Sequence, residues 1–208
     1  VATLGVLTVR RLVMLVLLIL LSGILIGSRF YPLIARVEVL GNSHYSQEEI
    51  MALANVAPGD PFFWVTRGRL ARLQADPWIL GVRVMRHWPD TIAITVSERT
   101  PVATDGVQSY AIDGTVLPNV SADVKASLIQ LSGWGPSRHD EALNLIRQLT
   151  DYSIQMVDYS PAGFTIQLDG VRLFTPNLEL LQANWSGFLS QQGTRVSVYP
   201  WGVSAAHD

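Results

Sequence analysis

The chain has 208 residues, no cysteine and a formal net charge of −2. That length admits a membrane anchor with one or two small domains, and the missing cysteines exclude disulfides and thiolate metal sites. The near-neutral charge, with no basic run interleaved with aromatics, argues against nucleic-acid binding as the main task. Arginine outnumbers lysine fourteen to one, which reads as a codon-composition bias.

Leu12 to Gly27 is an uncharged run of sixteen residues dominated by Leu, Val and Ile. A spanning helix needs about 17–25 such residues. Arg10 and Arg11 on one side and Arg29 on the other can snorkel and lengthen the usable span. Phe30 and Tyr31 follow, where an interfacial aromatic belt belongs. A cleaved signal peptide is the alternative, with Arg10-Arg11 as its basic region, but no small-x-small cleavage pattern follows the apolar run. The segment is read as an uncleaved anchor: a cytoplasmic tail over residues 1–11 and a single transmembrane helix over 12–28. The flanking charges nearly balance, and the short leading tail favours an inside amino terminus. Everything after Arg29 then lies outside the cytoplasm. Val1 fits an alternative start codon or the continuation of a longer tail.

Between Leu33 and Arg99 the pattern reads strand, helix, helix, strand, strand. Val37 and Val39 alternate with Arg36 and Glu38, and Gly41-Asn42 breaks the strand. Ser46-Gln47-Glu48-Glu49 is a capping box, after which Ile50, Leu53 and Ala54 form a helical apolar stripe. Ala57 to Pro61 ends that helix. A second helix is expected from near Thr66, burying Leu70 and Leu73 and stopping before Asp76-Pro77. Val82 and Val84 then alternate with Arg83 and Met85. After Trp88-Pro89-Asp90, Ile92, Ile94 and Val96 alternate with Thr91, Ala93, Thr95 and Ser97, the period of half-buried strands. Pro89 cannot donate to a ladder and belongs in the connection. Trp78 and Trp88 are read as core or hairpin-packing aromatics, and Glu98-Arg99 as an exposed pair. Pro101 marks a domain boundary.

These words resemble a POTRA domain, and more narrowly the cell-division family FtsQ/DivIB. The matching residues are Val37-Glu38-Val39 with Gly41-Asn42, Ser46, Ile50 and Gly59. They continue through Leu70, Pro77-Trp78-Ile79, Val82, Arg86 to Thr91, Ile94, Val96 and Glu98 to Ala103. The R-x-W-P-D-T and E-R-x-P-x-A words are specific in combination. The resemblance implies an α+β fold with a single N-terminal transmembrane helix. A POTRA domain (β-α-α-β-β) over 33–100 and an antiparallel β-domain with helices over 101–208 would follow.

In that second part, Tyr110 to Leu117 reads as a hairpin with Asp113-Gly114 as a type I′ turn. Leu128 to Leu131 is a short strand. Ser137 is read as the cap of a helix through Thr150 that buries Ala142, Leu145, Ile146 and Leu149. Ile154 to Asp158 returns as a strand; Phe164, Ile166 and Leu168 alternate, turn at Asp169-Gly170 and continue through Phe174. Thr175-Pro176 has the form of an N-cap with proline at the first helical position, ahead of Leu178, Leu181, Trp185 and Phe188. Gly193 ends that helix, and Thr194 to Tyr199 is a final strand.

A terminal strand tends to lie at a sheet edge, where free amides and carbonyls can accept another strand. Tyr199 and Trp201 are residue types that anchor interfaces. The resemblance implies that this strand receives one from the partner FtsB, placing Tyr199, Pro200, Trp201, Gly202 and Val203 at the partner-binding edge. The family often carries Asp and Arg before the Tyr, where this chain has Val196 and Val198. The alternative is an ordinary last strand whose aromatics cover the core.

No catalytic pattern emerges. His44, His87, His139 and His207 have no mutual i, i+3 or i+4 spacing, so no metal site is expected. Lys125, the sole lysine, is four residues from Ser121 rather than the three an S-x-x-K transpeptidase needs. Gly133-Trp134-Gly135 lacks the third glycine of a dinucleotide loop. The resemblance implies a non-enzymatic, single-pass type II protein of the cytoplasmic membrane at the division septum, needing no cofactor or small-molecule substrate. It would bind FtsB- and FtsL-type proteins, meet other divisome proteins through POTRA, and help recruit and regulate septal peptidoglycan synthesis. An outer-membrane assembly component would also carry POTRA domains, but it would continue into a long barrel of about ten-residue strands. An anchored cell-wall enzyme is the remaining reading.

Overall fold

The computed structural model describes residues 2–190 and 193–206, with side chains from residue 12 onward. Val1, His207 and the side chains of Arg10 and Arg11 lie outside the described residues. The chain divides into two compact units between Glu98 and Arg99. The first holds helix α1 (Ala2–Gly27), strand β1 (Arg36–Leu40), helix α2 (Gln47–Ala54), a 3-10 turn (Phe62–Trp64), helix α3 (Ala71–Ala75) and strands β2 (Ile79–His87) and β3 (Thr91–Glu98).

Among the described residues, no helix is long and apolar enough to cross a membrane. The transmembrane helix expected over 12–28 is therefore not met by those residues alone. From Leu12 to Gly27 the run of sixteen residues is about 24 Å long at the α-helical rise, short of a hydrocarbon core of about 30 Å. The large side chains along it, from Leu12 to Ile26, are exposed on every face.

The sheet of this unit has the order β1-β3-β2. β3 pairs in parallel with β1, from Arg36↔Thr91 to Leu40↔Thr95, and antiparallel with β2. Ile92, Ile94 and Val96 pack against Ile50 and Ala54 of α2 and against Leu70 and Leu73. The capping box forms as its spacing requires: the Glu49 amide donates to Ser46 Oγ at 3.2 Å and the Ser46 amide to Glu49 Oε2 at 2.8 Å. The second helix is shorter than expected. Gly68 weakens its first turn, so α3 covers only Ala71–Ala75, although Leu70 and Leu73 are buried as expected. Ala93, on the face read as outward, is buried too. The two tryptophans part company. Trp78 is buried with His44 stacked on it at 3.5 Å, whereas Trp88 is 69% exposed.

The Glu98 carboxylate accepts from the amides of Ser43, His44 and Tyr45 at 2.7, 2.6 and 3.2 Å, tying the end of β3 to the loop after β1. Arg99 bonds Asp113 at 2.8 Å in the second unit.

That unit contains β4 (Pro101–Thr104), β5 (Ser109–Ala111), β6 (Val116–Leu117), α4 (Ala122–Ser127), β7 (Ile129–Gly133), α5 (His139–Gln148), β8 (Met156–Ser160), β9 (Gly163–Gln167), β10 (Arg172–Thr175), α6 (Leu178–Ala183), α7 (Trp185–Leu189), β11 (Arg195–Tyr199) and β12 (Gly202–Ala206). One sheet runs β12-β11-β10-β9-β8-β7-β4-β5-β6. It is mixed rather than antiparallel: β4–β7, β7–β8 and β10–β11 are parallel. Parallel neighbours need long crossovers, and the last two of these pairs use α5 and then α6 with α7. Leu145, Ile146 and Leu181 pack against Val157, Phe164, Ile166 and Leu173 of the sheet.

Several local readings shift. At the β5–β6 turn only Gly114 has positive φ (87°), so the turn is not type I′. Arg138, not Ser137, is the N-cap of α5, and its guanidinium bonds Glu141 and the Ser160 carbonyl. Asn177, not Thr175, caps α6, its Oδ1 accepting from the Leu180 amide at 2.9 Å. The helix expected through Phe188 breaks at Asn184, whose side chain donates to the Leu180 carbonyl at 3.0 Å, the competition with backbone pairing that disfavours Asn inside helices.

Candidate partner-binding edge

The last strand is one strand further on than the sequence suggests. β11, the strand expected to be terminal, lies inside the sheet. It pairs in parallel with β10 and antiparallel with β12, from Arg195↔Ala206 to Tyr199↔Gly202. The weak strand signal of β12 is chemical in origin. Ser204, Ala205 and Ala206 are small, with weak strand preference and no apolar alternation. The signal that does mark the reversal is Pro200-Trp201-Gly202, a turn cluster between two short runs.

The five residues expected at the edge therefore gather at a hairpin tip. Tyr199 closes β11, Pro200 and Trp201 make the turn, and Gly202 and Val203 open β12. Gly202 has φ 144°, a conformation that suits glycine. The Tyr199 and Trp201 rings stack in parallel with centroids 5.1 Å apart, and Trp201 is 82% exposed. Val203 packs on the helical layer, close enough to Gly187 that a Cβ there would meet Val203 Cγ2 at 3.0 Å. Thr194 Oγ1 donates to the Ala206 carbonyl at 3.4 Å at the other end of the strand. β12 is thus held along its inner side, and among the described residues no strand pairs with its outer side.

Val196 and Val198 are buried on the core face of β11. β12 lies between these residues and the outer edge of the sheet. The residues of β11 that alternate with them are Arg195, Ser197 and Tyr199.

Proteins blunt exposed edges with charge, proline, bulges or brevity. The other edges in this chain use these devices. β6 has two residues and is followed by Pro118. β2 carries Arg83, Arg86 and His87 and has a register shift between Ile79 and Gly81. β1 carries Arg36 and Glu38. β12 is five residues long and uncharged, the edge left open to pairing.

The other candidate chemistry resolves into structure. His44 stacks on Trp78, His87 ends β2, and His139 lies edge-on to Tyr110 and Tyr159. Among the described residues no group of three His, Asp or Glu side chains can hold a metal ion. Gly133 serves close strand packing rather than phosphate binding: a Cβ there would lie 2.3 Å from the Tyr159 carbonyl oxygen. Burial, and then the hydrogen bond to Asp105, raises the Tyr110 pKa to about 12, which keeps it a neutral donor.

Residues 33–99 match the family described as "POTRA domain, FtsQ-type". A cell division protein FtsQ of Geobacter sp. strain M21 is 40% identical over 102 residues, 44% of this chain and 37% of that protein. The FtsQ of Syntrophotalea carbinolica is 27% identical over 186 residues, 82% of this chain and 66% of that protein. The FtsQ of Mycolicibacterium smegmatis is 30% identical over 115 residues, 52% of this chain and 34% of that protein. The chain thus spans between about a third and two thirds of these relatives' lengths. The strand-helix-helix-strand-strand unit thus coincides with the residues matched by the FtsQ-type POTRA model, and the chain is similar to proteins named cell division protein FtsQ.

Proposed function

We propose that this chain is a bitopic, non-enzymatic division protein that docks partner proteins outside the cytoplasm by strand addition at β12. It thereby helps to recruit and regulate septal peptidoglycan synthesis. The observation that carries the reading is the outer edge of β12, uncharged and unpaired beside the exposed Trp201. Main-chain bonds along β12 supply affinity, and the Tyr199–Trp201 pair supplies an aromatic anchor at the end of the added strand. The partners are FtsB- and FtsL-type proteins, with other divisome proteins at POTRA. α1 is the anchor: its uncharged stretch from Leu12 to Gly27 exposes apolar side chains on every face, and such a stretch belongs in apolar surroundings. Arg29 follows just after the helix, where a long cationic side chain can reach the headgroups.

The cysteine-free sequence supplies the test. Single cysteines at Ser204 on β12 and at Val116 on β6, each offered to cysteine-bearing variants of the FtsB ectodomain, report which edge the partner occupies. Disulfide formation at position 204 in one register, and none at 116, is the expected outcome. Crosslinking at 116 alone, or at neither site while FtsB still co-purifies, overturns the proposal for β12.

A further inference from the structure

One end of the first unit collects aromatic side chains that its core does not use. The start of β1, the end of β2 and the start of β3 meet there, since Arg36 pairs with Thr91 and His87 with Thr91. The Ala35 amide donates to the Asp90 carbonyl at 2.8 Å, placing the Trp88-Pro89 turn beside the chain that leaves α1. The 3-10 turn joins them. The Phe62 amide donates to the Pro32 carbonyl at 3.0 Å, and Trp88 lies 6.2 Å from the Phe62 ring and 6.3 Å from that of Phe63. Trp64 reaches the helix itself: its Nε1 donates to Ser28 Oγ at 3.4 Å, and the Arg29 guanidinium sits 5.4 Å from its ring centre. The end of α1 and this face of the sheet domain are therefore one continuous surface.

That surface carries Phe30, Tyr31, Phe63 and Trp88, all at least half exposed, with Phe63 the least at 50%. Isolated exposed aromatics need no explanation, but a contiguous set does. Their chemistry matches the place where they sit. Tryptophan, tyrosine and phenylalanine concentrate at membrane–water boundaries, where a ring is dehydrated while its polar tip stays wet. The apolar stretch from Leu12 to Ile26 leads directly into them.

We infer that this end of the POTRA domain is a bilayer-docking surface, with Phe63, Trp64 and Trp88 in the boundary between headgroups and acyl chains beside Phe30 and Tyr31. The inference rests on the reading of α1 as an anchor. Its occupant is the lipid interface, chosen because the patch is continuous with the helix that enters it. Docking fixes the domain close to the membrane and turns the outer edge of β2 into a surface held at constant height above it.

The test uses the full chain reconstituted in phosphatidylcholine–phosphatidylglycerol vesicles. Lipids brominated near the glycerol end of the acyl chain quench tryptophans at that depth. The native chain is expected to show a quenched component that disappears in the Trp64→Phe, Trp88→Phe double variant. A nitroxide on Leu20→Cys, read by collision with oxygen and with a water-soluble nickel complex, reports the anchor separately, with Val107→Cys as the aqueous reference. Lipid exposure at position 20 without quenching of Trp64 and Trp88 overturns the docking surface and leaves the anchor standing; the patch then belongs to a protein partner absent from the vesicles. Water exposure at position 20 overturns the anchor, and the docking surface with it.

Discussion

Glu98 shows how one carboxylate replaces a stretch of sheet. Burial opposes its ionisation, but the amides of His44, Ser43 and Tyr45, with the Ser43 hydroxyl, outweigh burial and hold its pKa below the usual glutamate range. A depressed folded pKa adds stability above the unfolded value of about 4.3, and that stability is lost as pH falls through the folded pKa. Glu98→Gln is expected to cost about 1–2 kcal/mol at neutral pH. The variant's unfolding free energy should also fall less steeply than wild type below about pH 4, as acid titrations of denaturant midpoints will read. Gly41, at the other side of the same loop, has φ 81°, and a Cβ there would lie 2.3 Å from the Val96 carbonyl oxygen. Left-handed strain and the backbone clash together predict a loss of about 2–4 kcal/mol for Gly41→Ala. A cost below about 0.5 kcal/mol in the same titration would contradict this account.

The strand elements divide by how they announce themselves. β3 was legible because Ile92, Ile94 and Val96 alternate cleanly and all three are buried. α2 was legible because its capping box names its first turn. β12 was not, since Ser204-Ala205-Ala206 has no alternation, and its place is settled by pairing with β11, a tertiary fact. The exposure of Trp88 was illegible for a related reason: a tryptophan beside a proline turn reads the same whether it faces core or solvent. The rings it does touch, Phe62 and Phe63, are some 25 residues away in sequence. β11 supports a prediction about its inner face. Val196→Asp or Val198→Arg puts an unpaired charge into the core. Each is expected to destabilise the second unit by about 3–5 kcal/mol. Ser197→Asp, on the alternating face, is expected to cost under about 1 kcal/mol. Equal losses at 197 and 198 by thermal unfolding would refute the assigned facing.

At the scale of the molecule, the two hydrophobic cores share no residue. Leu73→Ala and Leu145→Ala remove fully buried side chains, one from each core, and each should cost its own unit about 2–5 kcal/mol. Amide hydrogen exchange of the full chain is expected to show faster opening in the mutated unit alone; joint loss of protection would mean that the two unfold together. The topology of the first unit also sets an order of assembly. β2 and β3 meet across a three-residue turn, whereas β1 finds β3 across 91 − 36 = 55 residues. Closing the longer loop costs about 2 kcal/mol more in chain entropy, so the hairpin is expected to form before β1 pairs with β3. Kinetically, substitutions in the hairpin should slow folding, and those in β1, or at the Glu98 tether that secures its exit, should mainly hasten unfolding.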